Sequence, residues 1–176
     1  GEQTSCEYRT AHPVTLWPVE ITEAQYFAGK EPVASLDLPD AYKIRAGVRL
    51  RLRTTQPGLP FSKLPLERLT LYLQGSDALP VHLYEQLLAN VIMRVALPGQ
   101  RPAPWHEASP GNPVQRLGFE EEQALLPYVP PSFQGYRLLH EYFAFPQRYL
   151  FVELGGLGSA VRRCAGEGVE LDAGEF

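Results

Sequence analysis

Histidine and carboxylate pairs are the residues of this sequence that could carry out hydrolytic or metal chemistry. His140 and Glu141 are adjacent in a predicted helix, but a metalloprotease helix needs a second histidine where this chain has Ala144. His106 and Glu107 form a similar pair in a proline-rich segment. No two histidines have the spacing of metal ligands. The sequence therefore predicts neither a catalytic site nor a metal site, and a hydrolase using His106 and Glu107 is kept as an alternative.

Cysteine chemistry is equally weakly supported. Cys6 and Cys164 stand near opposite ends of the chain, too far apart and too few to indicate a disulfide framework. Cys164 has no adjacent histidine and no basic helix start that would activate its thiol. We expect two free thiols, as in reducing compartments. A nucleophilic role for Cys164 is the second enzymatic alternative.

A glycine-rich segment, Gly155–Gly158, follows a predicted strand and could cradle a phosphate on its amides. The dinucleotide-binding pattern needs a third glycine, and Val161 occupies that position. No second strand–helix–strand unit precedes the segment. A plain turn is therefore the favoured interpretation, and no cofactor is predicted.

A basic stripe is predicted along one strand, Tyr42–Arg53, whose even positions are apolar. Such a stripe could grip phosphates, but the formal net charge of −4 argues against a nucleic-acid binder. Pairing with carboxylates or exposure to water is favoured, and a surface for an acidic protein partner is the alternative. The basic residues of the stripe are Lys43, Arg45, Arg49, Arg51 and Arg53.

Length and composition favour one domain spanning residues 1–176. The 17 prolines and 15 glycines imply many turns and exclude a plain helical bundle. No apolar run reaches the roughly 18 residues that would cross a bilayer. Met93 is the only methionine, so we expect an internal piece of a longer protein.

The remaining elements follow from hydrophobic periodicity, helix caps and proline positions. They predict an α+β fold, mostly antiparallel sheet or sandwich-like, with two covering helices. The predicted helices span about residues 78–95 and 132–145. The predicted strands are 42–53 with its antiparallel return 66–74, a proline-bearing strand at 8–20, and 148–154. The rest is predicted as a helical turn at 21–28, loops at 31–40 and 97–113, a short acidic helix at 118–126, and an uncertain glycine-rich tail at 156–176.

Eight aromatic residues are concentrated between positions 128 and 151. Burial in the core is the favoured interpretation because each ring can bury a large apolar area. An assembly interface is the alternative, since aromatic residues also anchor protein–protein contacts. The eight are Tyr128, Phe133, Tyr136, Tyr142, Phe143, Phe145, Tyr149 and Phe151.

The segment from Leu126 to Phe151 resembles a motif of the TssF family, also called VasA or ImpG, of type VI secretion baseplate subunits. Two upstream segments, 13–20 and 71–88, resemble the family's first strand and its strand-to-helix step. The resemblance covers roughly residues 10–155. The matching motif residues are Phe133, Gly135, Tyr136, Arg137, Leu138, Leu139, Glu141, Tyr142, Phe143, Phe145 and Pro146.

The resemblance implies a structural protein that acts by assembly, without catalysis or cofactor. It implies a baseplate wedge containing two TssF copies with TssG and TssE, in contact with TssK. It also implies a cytoplasmic position at the inner membrane. The acidic net charge, and not the resemblance, argues against a nucleic-acid partner. A small-molecule or glycan-binding β-sandwich module is the alternative function, which an apolar pocket under residues 97–113 would favour.

The motif residues themselves suggest a rigid corner. Pro130 and Pro131 would fix the approach of the chain, and Ser132 would cap the helix. Gly135 would let a neighbouring backbone come close, and Pro146 would end the helix. If Tyr136 and Phe143 are buried, each change to alanine should cost about 3–5 kcal/mol.

Overall fold

The structure is a computed structural model that describes residues 6–29, 36, 38, 41–127, 129 and 133–175. Within these residues, strands dominate and three α-helices are present. The strands are β1 (Val19–Ala28), β2 (Ala46–Thr54), β3 (Leu69–Tyr72), β4 (Val91–Pro98), β5 (Glu107–Pro110), β6 (Val114–Arg116), β7 (Phe151–Leu154) and β8 (Gly168–Glu175). The helices are α1 (Leu79–Ala89), α2 (Gln134–Ala144) and α3 (Gly158–Arg163).

Two antiparallel sheets are formed by the described strands, which confirms the predicted α+β class. The larger sheet has the order β1-β2-β8-β4-β5, and the smaller has the order β3-β7-β6. The predicted pairing of 42–53 with 66–74 is wrong. β2 lies between β1 and β8, whereas β3 lies in the smaller sheet and pairs with β7.

The inner faces of the two sheets share one hydrophobic core with α1. Leu52 of β2 and Leu171 of β8 meet Val152 and Leu154 of β7 there, and Leu87 of α1 closes one side. The apolar face predicted for the 42–53 strand is confirmed for Val48, Leu50 and Leu52, whereas Tyr42 is 71% exposed and Ile44 packs in a separate, smaller cluster. Alternation works here because β2 has one face on this core and the other on a polar layer.

A second, smaller core lies on the outer face of the larger sheet. Met93, Val95 and Leu97 of β4 pack there with Ile44 and Phe27. β4 is consequently buried on both faces, which explains its nearly continuous apolar sequence.

The predicted helix at 78–95 is half right. α1 ends at Ala89, and the residues from Val91 onward form β4. The apolar positions continue at helical spacing only because a strand buried on both faces follows Asn90 at once. The predicted loop at 97–113 is also partly wrong, since it contains the end of β4 and all of β5.

Other boundaries also change. Residues 21–28 belong to β1 and not to a helical turn, and within residues 8–20 only 19 and 20 are in a strand. β1 was hidden because a bulge between Ile21 and Glu23 breaks its alternation. A 3₁₀ turn replaces the start of the predicted 148–154 strand and another replaces the 118–126 helix. The predicted tail contains α3 and the central strand β8, and the predicted 31–40 loop lies largely outside the described residues.

Gly47 allows the first two strands and β8 to lie close together. The ring of Phe27, its cross-strand partner, covers it, and an added Cβ would lie 2.6 Å from the carbonyl oxygen of Ala173. We expect Gly47→Ala to lower the free energy of unfolding by about 1–3 kcal/mol through overpacking. Urea denaturation would measure this loss.

The matched control is Gly166→Ala, because nothing lies within 4 Å of an added Cβ there. Its free energy of unfolding should change by no more than about 0.5 kcal/mol. Equal stability of the two variants would contradict the close packing at Gly47.

Candidate functional site

Helix α2 has an inverted distribution of polar and apolar residues. Its buried residues are Arg137 and Glu141, whereas the large apolar residues around them face outward. Tyr136, Leu139 and Phe143 recur at i, i+3 and i+7 and so lie along one side of the helix. We call the exposed set the aromatic surface: Phe133 (70% exposed), Tyr136 (70%), Leu139 (57%), Tyr142 (52%), Phe143 (80%) and Phe145 (50%).

The favoured interpretation of these aromatic residues as core is therefore wrong for α2. Tyr149 is buried as expected, and its hydroxyl donates a hydrogen bond to the carbonyl of Leu138 at 3.2 Å. Tyr136 and Phe143 are exposed, so the cost of about 3–5 kcal/mol expected for buried rings does not apply to them. Tyr128 lies outside the described residues.

A buried ion pair takes the place of an apolar contact beneath α2. Nη1 of Arg137 lies 3.2 Å from Oε2 of Glu141, one helical turn away. The other oxygen of Glu141 accepts hydrogen bonds from the amides of Leu125 and Leu126, at 2.8 and 3.1 Å. This carboxylate therefore ties the helix to the chain that precedes it.

Arg137 completes the attachment from the other side. Its Nε donates to Gln134 at 2.9 Å, and its Nη2 donates to the carbonyls of Phe119 and Glu120 at 3.0 and 3.3 Å. The segment 119–126 is thus held to α2 mainly by charge-assisted hydrogen bonds, which are stronger than neutral ones. This rigid polar base leaves the aromatic side chains free to face outward.

The ionisation of Glu141 stabilises this arrangement. Burial by itself raises the pKa of Glu141, but the amides of Leu126 and Leu125 and the guanidinium of Arg137 outweigh it, so the net pKa is lowered. A carboxyl pKa lowered in the folded state adds stability above the pKa of the unfolded chain. That stability is lost as the pH falls through the lowered pKa.

The structure allows the roles predicted for Gly135 and Pro146 to be checked. A Cβ at Gly135 would collide with the ring of Phe133, so the glycine makes room for an aromatic side chain and not for a neighbouring backbone. Pro146 begins a 3₁₀ turn directly after α2 ends, in agreement with its predicted role. Pro130, Pro131 and Ser132 lie outside the described residues.

The basic stripe is largely paired within the protein. Arg49 makes a two-point contact with Asp172 at 2.8 Å for each nitrogen, and Arg51 bonds Glu170 at 2.7 Å. Arg53 bonds Glu20 at 2.6 Å. These three arginines are therefore paired with carboxylates, as the favoured interpretation of the stripe predicted. Lys43 lies over the ring of Tyr42, and Arg45 is exposed.

The carboxylates of this layer are unusually buried. Glu170 is 2% and Asp172 is 1% exposed, and Arg101 also reaches Glu170 at 2.7 Å. Burial raises the pKa of Asp172 despite the opposing hydrogen bond from Arg49. The alternating signal in β2 indicated the arginines, but nothing comparable marked their partners in β8.

The glycine-rich segment holds a guanidinium of the protein itself through its backbone carbonyls. The carbonyls of Gly155 and Gly156 accept hydrogen bonds from Arg94 at 3.2 and 2.6 Å. Arg94 itself is 1% exposed, and burial lowers its pKa. Sequence reasoning missed Arg94, although a single charge within the apolar run of β4 signals a buried functional or structural cation.

Glu107 and Cys164, two of the residues considered for hydrolytic chemistry, are not arranged as a catalytic pair with a histidine. Glu107 bonds Arg94 and Ser159 instead of its neighbour His106. Cys164 is buried, and burial raises the pKa of its thiol. Cys6 is exposed and free, and no group of three potential metal ligands occurs among the residues that the structure describes.

The amino-acid sequence of the chain matches one protein family and one curated relative. A family model described as "Type VI secretion system, TssF" matches residues 1–173. The chain is 50% identical over 171 residues to type VI secretion system component TssF1 of Pseudomonas aeruginosa strain PAO1. That match covers 97% of this chain and 27% of the relative. These matches define a type VI secretion protein.

A solved structure agrees with the sequence matches. The chain superposes on a chain of the TssK-TssF-TssG baseplate subcomplex, determined by cryo-electron microscopy, with a TM-score of 0.74 and 25% identity. The match covers 98% of this chain and 30% of the other. The chain belongs to the TssF family. It spans just over a quarter of the length of its curated relative.

Proposed function

We propose that this chain is a structural part of a type VI secretion baseplate wedge and acts by protein–protein assembly, without catalysis. Its family membership is the observation that carries this proposal. The aromatic surface supports it, because a soluble domain seldom leaves so many large apolar side chains exposed on one element.

The proposed partners are TssG, TssE, TssK and a second TssF copy. A likeness to a chain of a TssK-TssF-TssG subcomplex supports the first and third of these. We place the assembly in the cytoplasm, at the inner membrane. Among the described residues, no helix has the length and hydrophobicity needed to cross a bilayer.

We assign partner binding to α2 rather than to the basic stripe. Arg49, Arg51 and Arg53 already bind carboxylates of their own sheet, so a partner would have to compete with those carboxylates. The rings of the aromatic surface contact one another, and Tyr142 also lies 6.0 Å from the buried ring of Tyr149. Phe133 lies edge-on to Tyr136 at 5.6 Å, and Tyr142 lies edge-on to Phe143 at 5.5 Å.

The energetic scale of the aromatic surface fits a binding site. An aromatic side chain buries roughly 150–250 Å² when covered. At roughly 25 cal/mol per Å², a ring that becomes wholly covered offers about 4–6 kcal/mol before the costs of association. Aromatic anchors of this kind dominate many interfaces. The rigid ion-paired base limits the entropy lost when a partner binds.

Co-expression with TssG from the same organism tests the proposal. Size exclusion with light scattering should show a stable complex of the two chains. The double change Tyr136→Ser with Phe143→Ser should weaken that complex at least about 30-fold, because loss of one aromatic anchor costs about 2 kcal/mol or more.

The matched control is Tyr8→Ser with Tyr42→Ser, which removes two exposed tyrosines that do not belong to α2. This control should retain the complex. A folded chain that fails to bind TssG would refute the proposed partner, and equal weakening by both double variants would refute the assignment to α2.

A further inference from the structure

The two sheets are unequal in width, and a groove lies where the smaller one ends. The larger sheet has five strands and the smaller has three, with β3 at one edge of the smaller sheet. Ile21 and Ala24 of β1 line this groove together with Leu71 of β3 and Leu73 just after it. The groove contains an apolar cavity of about 180 Å³. It does not lie under residues 97–113, where an apolar pocket would have favoured the glycan-binding alternative.

The inner face of β1 carries apolar side chains that remain accessible to solvent. Ile21 is the cross-strand partner of Leu52, and Tyr26 is the partner of Val48. Cross-strand partners lie on the same face of a sheet, and Leu52 and Val48 face the core between the sheets. Ile21 is nevertheless 52% exposed and Tyr26 is 62% exposed. Within the described residues, β1 therefore lacks the cover that the core gives to β2.

Strand β3 presents an open backbone edge beside the same groove. The N–H of Leu73 donates to the carbonyl of Leu150 at 3.0 Å, in the register by which β3 pairs with β7. Hydrogen-bonding directions alternate along an antiparallel strand, so the N–H and C=O groups of Thr70 and Tyr72 point away from β7. Among the described strands, β3 has no partner on that side. Such an edge is a template for another strand.

Two charged residues also line the groove, but their side chains are already paired. Arg94 bonds Glu107 at 3.3 Å, and Asp172 holds Arg49 at 2.8 Å. A ligand recognised by its charge is therefore not indicated. The features that remain are an open row of backbone groups and an apolar wall, which together fit an extended peptide segment.

We propose that one further β-strand adds to the open edge of β3 and covers the inner face of β1, and that the part of the TssF polypeptide outside these 176 residues supplies it. The chain covers only 27% of its curated relative, so most of the family's polypeptide could provide this strand. Its backbone would pair with Thr70 and Tyr72. Its alternate side chains would be apolar and would contact Ile21, Ala24 and Val48.

A strand from the same polypeptide has an advantage over a strand from a partner such as TssG. Its tether turns strand addition into an intramolecular step with a high effective concentration. The site is separate from the aromatic surface of α2. It rests on the family membership of the chain and not on the proposed binding of TssG.

Cysteine labelling of the full-length protein that contains this chain tests the proposal at the side chains. Ala24→Cys places a thiol in the groove, and Gln25→Cys places one on the opposite face of β1, opposite Arg49. Both positions are exposed in the structure, so Gln25→Cys is the matched control. A maleimide should label Ala24→Cys at least about tenfold more slowly, as measured on the peptide that carries each thiol.

Amide hydrogen exchange of the unmodified full-length protein tests the backbone. The N–H of Leu71 points toward β7 and serves as the internal reference. If a strand is added, the N–H of Tyr72 should be protected to within about tenfold of Leu71, because both amides are then paired. An open edge would leave the Tyr72 amide exchanging far faster than its neighbour.

The outcomes separate the possible occupants. Slow labelling of Ala24→Cys together with a protected Tyr72 amide, in the full-length protein alone, supports the proposal. Fast labelling and fast exchange in that protein would overturn it. Slow labelling without amide protection would also contradict it, because the cover would not be a strand. Protection that appears only after TssG is added would assign the strand to the partner and refute the proposed source. Thermal melts confirm beforehand that both cysteine variants are folded.

Discussion

Replacing Arg137 with methionine should lower the free energy of unfolding by about 3–5 kcal/mol. The change leaves the carboxylate of Glu141 buried beneath α2 without its positive partner, and an uncompensated buried charge is strongly destabilising. It also frees the carbonyls of Phe119 and Glu120, which Arg137 now binds. Chemical denaturation would measure the loss.

Two further variants separate charge from packing in this region. Arg137→Met with Glu141→Gln removes both charges while keeping an oxygen for the amides of Leu125 and Leu126. This double variant should be more stable than Arg137→Met alone. Tyr136→Ala, on the exposed side of the same helix, should change stability by no more than about 0.5 kcal/mol. A larger loss for Tyr136→Ala than for Arg137→Met would contradict the inverted helix.

Replacing Arg49 with methionine should also cost about 3–5 kcal/mol at neutral pH. Arg49 holds Asp172 by two hydrogen bonds of 2.8 Å, and Asp172 is 1% exposed at the centre of the larger sheet. Without Arg49, this buried carboxyl group must either stay ionised without its partner or take up a proton, and both cost free energy at neutral pH. Denaturation at several pH values would measure the loss.

The pH dependence of this loss has a definite sign. Burial already raises the pKa of Asp172 above that of the unfolded chain, so its ionisation opposes folding. The associated stability is present at low pH and is lost as the pH rises through the folded pKa. Removing Arg49 strengthens this effect, so the variant should approach the parent protein in stability as the pH falls.

Arg53 provides the matched control within the same stripe. It pairs with Glu20 at the exposed end of the layer, where the two side chains are 61% and 44% exposed. Arg53→Met should therefore cost no more than about 1 kcal/mol, as is usual for surface pairs. A loss as large as that of Arg49→Met, or a loss at Arg49 that does not depend on pH, would contradict the buried ion pair.

The sequence predicted those parts of the fold where one residue pattern corresponds to one environment. β2 was found because its apolar face meets the core and its basic face meets a polar layer. β4 was missed because both of its faces are buried, so its residues continued the helical spacing of α1 without a break. β3 was assigned the wrong partner because sequence proximity does not reveal β7, which follows much later in the chain.

At the candidate site, the sequence likewise did not reveal which side chains are buried and which are exposed. The predicted motif residues lie on and beside α2, but core and interface could not be distinguished from residue type alone. Arg137 and Glu141 decided the outcome, because their mutual pairing allowed the polar side of the helix to be buried. Glu170 and Asp172 were overlooked because they belong to a segment whose strand character was not evident.

The position of β8 constrains the order of folding during synthesis. β8 joins β2 to β4, and its Asp172 lies 123 residues after the Arg49 that it binds. Until the ribosome has delivered β8, the edges of β2 and β4 that face it in the folded sheet lack their partner strand. Contacts of such high sequence separation slow folding and leave edges vulnerable to aggregation. The larger sheet therefore cannot close until β8 joins β2 to β4.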